Sequence, residues 1–380
     1  MQIDYSKRIF GLDLMRAIAI LFVVGSHVLW VFPEVDGPLV TLLRLCGVMG
    51  VEIFFVLSGF LIGRILYRIF TNPEFKVADL KYFIIRRWFR TLPNYYLILL
   101  INIALVIYLG RQLPESLGYY FVFLQNFSSG MDIFFTESWS LPIEEFAYIV
   151  GPVLFYLAVL LWKTKNREWI FFWVTLAIIA FFLVTKVGYN SSTGSNTLDY
   201  WNINLKAVVL YRIDAIYYGV LAAFVSLKYA EFWKRTTFTF LFLGIILFVG
   251  LHILISNLGL TPQSHPFFIN VLYLPMCSIF IAMSLPFLSR LKRVPNYLLK
   301  PITWVSLISY SMYLLHYSII LQLMRFYVSP TEISEPEKWL YTLSYLALTF
   351  LLSHILYRFF EKPMMDIRDR AYFKQKFQQQ

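Results

Sequence analysis

The first apolar stretch of the chain carries three ionisable side chains, Asp13, Arg16 and His27. A charge placed in the middle of a bilayer costs about 2.5–3.5 kcal/mol on insertion scales, so each of these residues calls for a role that offsets the cost. At about 100° and 1.5 Å per residue, Arg16 and His27 share one helix face and lie about 16 Å apart along its axis. His27 could act as a general base, and the alternative is a hydrogen-bonded core histidine.

Carboxylates are expected at a similar depth to His27. Glu52 opens the second apolar stretch, and Glu144 with Glu145 opens the fourth. Both stretches run back from the side of the membrane where His27 is expected, so these acids and the histidine could form one acid–base centre. The alternative is that the acids mark helix starts, where a negative charge suits the positive end of the helix dipole.

A basic cluster precedes the third apolar stretch. Arg86 and Arg90 are one helical turn apart, with Arg87 between them, so one helix face could present a pair of guanidinium groups to phosphate oxygens. The alternative is the ordinary excess of basic residues on the cytoplasmic side of a membrane protein. Together with His27, the cluster suggests a donor with an anionic cytoplasmic head and a thin arm reaching toward an acceptor outside.

The elements that must position these residues are membrane helices. Of the 380 residues, 59% are hydrophobic and only 14% are charged, against about 25% charged in soluble domains. Apolar stretches near the length that crosses about 30 Å of hydrocarbon cover residues 12–32, 48–70, 92–110, 143–162, 169–187, 208–227, 238–255, 267–288, 303–324 and 339–360. This pattern predicts an all-α polytopic protein with about ten transmembrane helices, and the aromatic run at 119–127 is a possible extra element.

The distribution of basic residues predicts the orientation. With the N-terminus inside, 26 of the 33 Lys and Arg residues fall on the inner side and 7 on the outer side, which places both termini in the cytoplasm. Because the basic residues sit in short clusters beside apolar stretches, the net charge of +11 does not indicate nucleic-acid binding. Cys46 and Cys277 form no metal-like pair, and no metal site is expected.

Six sequence blocks, in this order, are similar to blocks of the acyltransferase-3 family of integral-membrane acyltransferases. They are GLDLMRAIAI at 11–20 followed by His27, GVEIFFVLSGFLI at 50–62, RRWFRTLP at 86–93, WSLPIEE at 139–145, ISYSMYLLH at 308–316 and FEKP at 360–363. The second block carries Glu52 where the family usually has Asp. The resemblance covers residues 8–365, so we predict one transmembrane domain at 1–365 and a basic cytoplasmic tail at 366–380.

The resemblance implies roles for the residues in these blocks. His27 would be the general base on an acceptor hydroxyl, oriented by Glu144 or Glu52. Donor binding would fall to Arg16, Asp13, Arg86, Arg87 and Arg90. Further site residues would be Ser58, Trp139, Ser140, Arg212, Tyr313 and His316, although the block around His316 could instead pack helices through its small polar side chains.

The resemblance also implies a reaction and a location. The donor would be acyl-CoA, usually acetyl-CoA, with no permanently bound cofactor. The acceptor would be a hydroxyl of a carbohydrate such as O-antigen of lipopolysaccharide or an exopolysaccharide, reached from the inner membrane of a bacterial cell. The alternatives are a secondary transporter or glycan flippase that uses the same charges as a proton relay, and a sensor or scaffold without chemistry. Transporters tend to show two related halves, and no such repeat is visible in the sequence.

Overall fold

A computed structural model describes residue 5 and residues 8–162, 166–194 and 196–368. Every regular element within these residues is helical. The principal helices are α1 (Phe10–Ser26), α2 (Pro38–Thr71), α3 (Val77–Tyr108), α4 (Ser140–Leu161), α5 (Arg167–Thr193), α6 (Ile213–Lys228), α7 (Thr237–Leu258), α8 (Leu274–Ala282), α9 (Asn296–Leu315) and α10 (Glu335–Leu356).

Shorter elements extend these helices or connect them. The 3₁₀ turns are His27–Trp30, Thr136–Trp139 and Val209–Tyr211. Segments of π-helix are Asn202–Lys206, Phe268–Tyr273, His316–Leu321 and Tyr357–Glu361. The short α-helices are Leu117–Tyr120, Leu198–Trp201, Ala230–Arg235, Leu285–Leu288, Gln322–Tyr327 and Lys362–Arg368.

The prediction of an all-α polytopic membrane protein is confirmed. In the described part of the chain, nine of the ten predicted spans coincide, to within two residues at either end or with a longer helix around them, with helical segments of 21 to 34 residues whose mean hydropathy lies between 1.3 and 2.6. The tenth, predicted at 208–227, is the shorter helix α6, of which 10 of 16 residues are buried. Helix α6 packs against α2, α5 and α8, so its surroundings are largely protein.

Close packing of α2 against α6 forms the centre of the bundle. A Cβ atom added at Gly59 would overlap the carbonyl oxygen of Ile216, and one added at Gly219 would overlap that of Val56. Small residues at such a crossing let two membrane helices approach backbone to backbone. Helix α1 packs against both α2 and α9, which directs the polar face of α1 into the bundle.

The aromatic run at 119–127 forms a packed connection. It begins in the short helix Leu117–Tyr120, and the hydroxyl of Tyr95 donates to the carbonyl oxygen of Tyr120 at 2.7 Å. The backbone N–H of Val209 donates to the carbonyl oxygen of Asn126 at 3.0 Å. These contacts dock the run against α3 and the segment before α6.

The predicted domain boundary at residue 365 falls inside the helix Lys362–Arg368. The rest of the predicted basic tail, 369–380, lies outside the described residues.

Candidate active site

A cavity of about 90 Å³ lies inside the bundle, between α1, α2, α3, α4 and α9. We call it the arginine cavity. Apolar side chains, mostly from α2, form part of its wall. Its polar lining consists of Arg16, Ser58, Arg87, Arg90, Thr91, Ser140, Glu144, Ser309, Tyr310 and Tyr313. Seven of these ten residues were predicted as site residues, and they bring five of the six sequence blocks around one space.

Arg16 is held in the arginine cavity by two contacts. Its Nη1 lies 3.6 Å from a carboxylate oxygen of Asp13 and donates to Ser306 Oγ at 3.2 Å. Asp13 itself accepts two hydrogen bonds from Arg8, at 2.5 and 2.7 Å, and one from Ser306 at 2.9 Å. The prediction that Asp13 binds the donor is not supported by these contacts, because its carboxylate is already occupied and is not part of the lining. Asp13 positions Arg16 instead.

Arg87 and Glu144 are joined through a tyrosine. The Nη2 atom of Arg87 donates to Tyr148 Oη at 2.5 Å, and Tyr148 Oη donates to Glu144 Oε2 at 2.9 Å. Ser58 also hydrogen-bonds to Tyr148. The Tyr148 hydroxyl therefore bridges Arg87 and Glu144, and these hydrogen bonds connect α3 to α4. Tyr148 was not predicted, although its spacing of four residues from Glu144 is the signal that could have found it.

Arg90 adds a third guanidinium group to the cavity lining. It has no hydrogen-bond partner among the described residues, although the buried carboxylate of Glu361 lies near enough to influence it. Glu361 is itself occupied by Asn94 Nδ2 at 2.9 Å and Ser311 Oγ at 2.6 Å. The lining therefore contains three guanidinium groups and one carboxylate, that of Glu144. A buried excess of positive charge is costly unless an anion compensates it.

Arg86 is outside the cavity. Its Nη1 donates to Tyr82 Oη at 3.1 Å, and its guanidinium lies over the Tyr82 ring. Of the expected pair, Arg90 lines the cavity and Arg86 does not. The face of α3 that turns inward carries Arg87, Arg90 and Thr91, since a helix surface can be followed by steps of three as well as four residues.

The predicted base, His27, lies beside a second histidine. The ring centroids of His27 and His316 are 4.8 Å apart with an angle of 69° between the planes, and the Tyr317 ring is 4.9 Å from His27. His27 opens the 3₁₀ turn that follows α1, and His316 opens the π-helical segment that follows α9. Such local changes of helix geometry are frequent at functional sites.

Hydrogen bonds fix the same tautomer in both rings. His27 Nδ1 lies 2.8 Å from the carbonyl oxygen of Val23, and His316 Nδ1 lies 2.8 Å from that of Tyr313. A carbonyl oxygen only accepts, so each Nδ1 carries the proton and each Nε2 keeps its lone pair. The Nε2 of His316 is buried without a partner among the described residues. His27 is half-buried whereas His316 is fully buried, so His27 is the more accessible base.

Tyr313 connects the arginine cavity to the histidines. It lines the cavity, and its ring is 5.9 Å from that of His316. Its hydroxyl hydrogen-bonds to Ser140 Oγ at 2.7 Å. Tyr313 therefore lies between the arginine cavity and the histidines, and its polar contact with Ser140 is one that could separate.

The expected contact between His27 and a carboxylate is not made. Glu52 is paired with Arg212 and accepts from Ser278 Oγ at 3.1 Å. The neighbouring pair Lys186–Asp214 is equally buried. We call these four charged residues the paired cluster. It links α2, α5 and α6, and it explains why Glu52 and Arg212, both predicted as site residues, lie outside the arginine cavity.

Comparison with known proteins agrees with the sequence blocks. Residues 9–358 match the model of a family described as an acyltransferase domain. The chain belongs to the acyltransferase-3 family. No solved structure is significantly similar to it.

Three curated relatives illustrate how acyltransferase-3 proteins resemble this chain. The peptidoglycan O-acetyltransferase OatA of Listeria monocytogenes is 26% identical over 97% of the chain and 58% of its own length. The putative peptidoglycan O-acetyltransferase YrhL of Bacillus subtilis is 26% identical over 98% of the chain and 57% of its own length. The O-acetyltransferase OatA of Staphylococcus aureus is 26% identical over 95% of the chain and 58% of its own length. The chain spans less than three fifths of the length of these relatives.

Two residues near the histidines of this acyltransferase-3 chain were missed by the sequence analysis. Glu137 accepts from the N–H and Oγ of Ser318, at 3.1 and 2.6 Å, and its Oε2 has no partner among the described residues. Lys206 Nζ lies 5.1 Å from the ring centroid of Trp139. Trp139, a predicted site residue, is therefore in contact with this lysine. Burial, with a smaller contribution from the Arg212 guanidinium, lowers the pKa of Lys206 to about 8. Neither residue stands in a distinctive motif, so only the fold reveals them.

Proposed function

We propose that the chain is a membrane O-acyltransferase that transfers an acetyl group from cytoplasmic acetyl-CoA to a hydroxyl of a glycan on the far side of the bacterial cytoplasmic membrane. The observation that carries the proposal is that Tyr313 lines a cationic cavity and also contacts His316, whose ring lies edge-on to that of His27. The names of the relatives support acetyl as the group and glycan as the acceptor. Two of those names specify peptidoglycan.

The arginine cavity suits the donor. Arg16, Arg87 and Arg90 approach one space with a single carboxylate among them. Guanidinium groups bind phosphate or carboxylate oxygens through two parallel hydrogen bonds, and such charge-assisted bonds are the stronger ones. The excess positive charge favours an anionic donor such as a CoA thioester over a neutral one. Opening of the Ser140–Tyr313 hydrogen bond would let the thin arm of the donor pass toward His316.

The histidines suit the transfer step. The acceptor oxygen attacks the thioester carbonyl carbon while His27 Nε2 takes the hydroxyl proton, and the new C–O bond forms as the C–S bond breaks. The departing CoA sulfur then takes the proton from His27, so the enzyme is restored. His316 and Val23 hold the His27 ring in place. His316 is a positioning residue, because its ring is fully buried.

The test is acetyl transfer by the full chain in nanodiscs, supplied with acetyl-CoA and peptidoglycan fragments and analysed by mass spectrometry. We expect O-acetylated fragments from the wild-type chain. His27→Ala should lose at least about 10²-fold in turnover, which is the usual loss on removal of a general base. The matched control is His252→Ala, because His252 lies in α7 and contacts Phe248 and Tyr273.

Near-normal turnover in His27→Ala would remove the base assignment. Movement of the glycan across the membrane without acetylation would instead favour the transporter alternative.

A further inference from the structure

A second, more open cavity lies beyond the end of α1. It has a volume of about 200 Å³, and its wall includes Trp30, Arg111, Gln322, Arg325 and Phe326. We call it the Trp30 pocket. Trp30 is 45% exposed and Phe326 is 46% exposed, so each ring keeps part of its surface open to a ligand. The pocket is separate from the arginine cavity, with which it shares no lining residue.

The Trp30 pocket is close to the proposed base. Trp30 ends the 3₁₀ turn that His27 begins. The Trp30 and Tyr317 rings are 6.1 Å apart, and the Tyr317 ring is 4.9 Å from that of His27. Gln322, which lines the pocket, directly follows the π-helical segment that carries Tyr317. A ligand in this pocket would therefore lie one aromatic ring away from His27, on the side opposite to the donor path through Tyr313.

The two arginines of the pocket differ from most basic residues predicted on the outer side. Four of the seven form ion pairs, Arg44 with Asp36, Lys186 with Asp214, Arg212 with Glu52 and Lys338 with Glu335. Arg111 and Arg325 have no acidic partner among the described residues. Their guanidinium carbons lie over aromatic rings instead, Arg111 at 5.6 Å from Phe326 and Arg325 at 4.8 Å from Trp30.

Contact with a ring restricts these arginines but satisfies none of their N–H groups, which stay available to an anion. A guanidinium that lies on an aromatic face is held in orientation by the ring, while its N–H groups point outward along the edge of the plane. Two such groups in one pocket match the oxygens of a carboxylate or phosphate. Basic residues are scarce on the outer side of membrane proteins, so two uncompensated arginines at one place call for a ligand.

We propose that the Trp30 pocket binds an oxyanion of the acceptor glycan, with Arg111 and Arg325 as its ligands and Trp30 against the sugar ring. The oxyanion is either the carboxylate of an acidic sugar or the diphosphate of a lipid carrier. The inference rests on the proposed function and adds the chemical class of the acceptor. It also explains how an acceptor hydroxyl is brought to His27 from the side opposite to the donor.

The experiment measures acetyl transfer by the full chain in nanodiscs with three acceptors. One is a disaccharide that contains N-acetylmuramic acid, one is the neutral N,N′-diacetylchitobiose, and one is the same neutral disaccharide on a short polyprenyl diphosphate. The variants are Arg111→Gln, Arg325→Gln and the conservative Arg325→Lys. The matched control is Arg44→Gln, an arginine of the same predicted side that is paired with Asp36 outside the pocket.

For at least one anionic acceptor, we expect each glutamine variant to raise KM by about tenfold or more, with kcat nearly unchanged. Arg325→Lys should recover part of the loss. The neutral disaccharide and the Arg44→Gln control should be unaffected. An effect confined to the muramic acid acceptor identifies the sugar carboxylate, and an effect confined to the polyprenyl acceptor identifies the diphosphate.

Unchanged KM for both anionic acceptors would overturn the proposal, and so would an equal loss for the neutral disaccharide. A binding arm separates this failure from failure of the proposed function. Calorimetric titration of the muramic acid disaccharide and of the polyprenyl diphosphate compound, without acetyl-CoA, should show binding that both glutamine variants weaken. If the wild-type chain acetylates no glycan but still binds these probes through Arg111 and Arg325, the pocket stands and the reaction is wrong.

Discussion

The arginine cavity and the paired cluster are two groups of buried charges in one bundle, and they differ in balance. In the paired cluster, Glu52 meets Arg212 and Lys186 meets Asp214, so the charges cancel and the side chains are packed. The arginine cavity has three guanidinium groups against one carboxylate, and it is hollow. The charges of the paired cluster are matched one to one, whereas in the arginine cavity Arg16 shares Asp13 with Arg8 and the lining holds more cations than carboxylates.

The balance of positive and negative charge separates the predicted residues that line the cavity from those that do not. Where each charge has its own partner, as in the paired cluster, the charge is structural and joins helices. Where cations outnumber carboxylates around an empty space, as in the arginine cavity, an anionic ligand would balance them.

The largest expected effect comes from breaking the paired cluster. Glu52→Gln removes the counter-charge of Arg212 and leaves a buried cation, which should lower the free energy of unfolding by about 3–5 kcal/mol. Thermal unfolding of the detergent-solubilised protein measures this. The double variant Glu52→Leu with Arg212→Met should recover much of the loss, because no charge remains to be compensated. An unfolding temperature of Glu52→Gln equal to the wild-type value would mean that the pair contributes nothing to the architecture.

A smaller effect, of a different kind, is expected in the arginine cavity. Arg90→Gln relieves repulsion among like charges, so stability should be unchanged or higher. Binding of CoA should weaken by about 1.5–3 kcal/mol, the usual contribution of a hydrogen bond to a charged group. Arg90→Lys should also weaken binding, because the planar fork is lost. Isothermal titration calorimetry with free CoA provides the affinity.

Arg86→Gln is the matched control for the arginine cavity, because Arg86 precedes Arg87 but contacts Tyr82. Its CoA affinity should equal that of the wild-type chain. Equal affinity in Arg87→Gln and Arg90→Gln as well would mean that the cluster only sets the orientation of α3 in the membrane.

The smallest effect is expected at the boundary between the cavity and the histidines. Tyr313→Phe removes one hydrogen bond to Ser140. Because this bond must open for the donor arm to pass, its loss should lower the activation free energy by about 0.5–1.5 kcal/mol. Ser140→Ala should give a similar change in turnover, and the double variant should add little, because the two residues share one bond. Additive effects would show that the two side chains act separately.

Much of the fold follows from the sequence, because spans of about 20 apolar residues and clusters of basic residues are set by the bilayer itself. The cavity residues Arg16, Ser58, Ser140, Glu144 and Tyr313 were predicted through the family blocks. The pairing of side chains could not be predicted in the same way. Nothing in the sequence states that Glu52 meets Arg212, since their contact depends on how α2 crosses α6.

The side chain that contacts His27 could not be predicted from the sequence either. The sequence indicated a carboxylate because Glu52 and Glu144 were expected at a similar depth. The structure places His316 beside it, at the point where α9 changes into a π-helical segment. A change in helix geometry rotates the following side chains, and helical periodicity read from sequence cannot anticipate it.

A cryo-electron microscopy structure of the full chain with a non-hydrolysable acetyl-CoA analogue would show directly where the donor binds. We expect density for the analogue inside the arginine cavity, with its oxygens within hydrogen-bond distance of Arg87 or Arg90. The Ser140–Tyr313 bond should be open, and the acyl carbonyl should point toward His27 and His316. An analogue bound elsewhere on the protein, with the arginine cavity and the Ser140–Tyr313 bond unchanged, would show that the cavity is not the donor site.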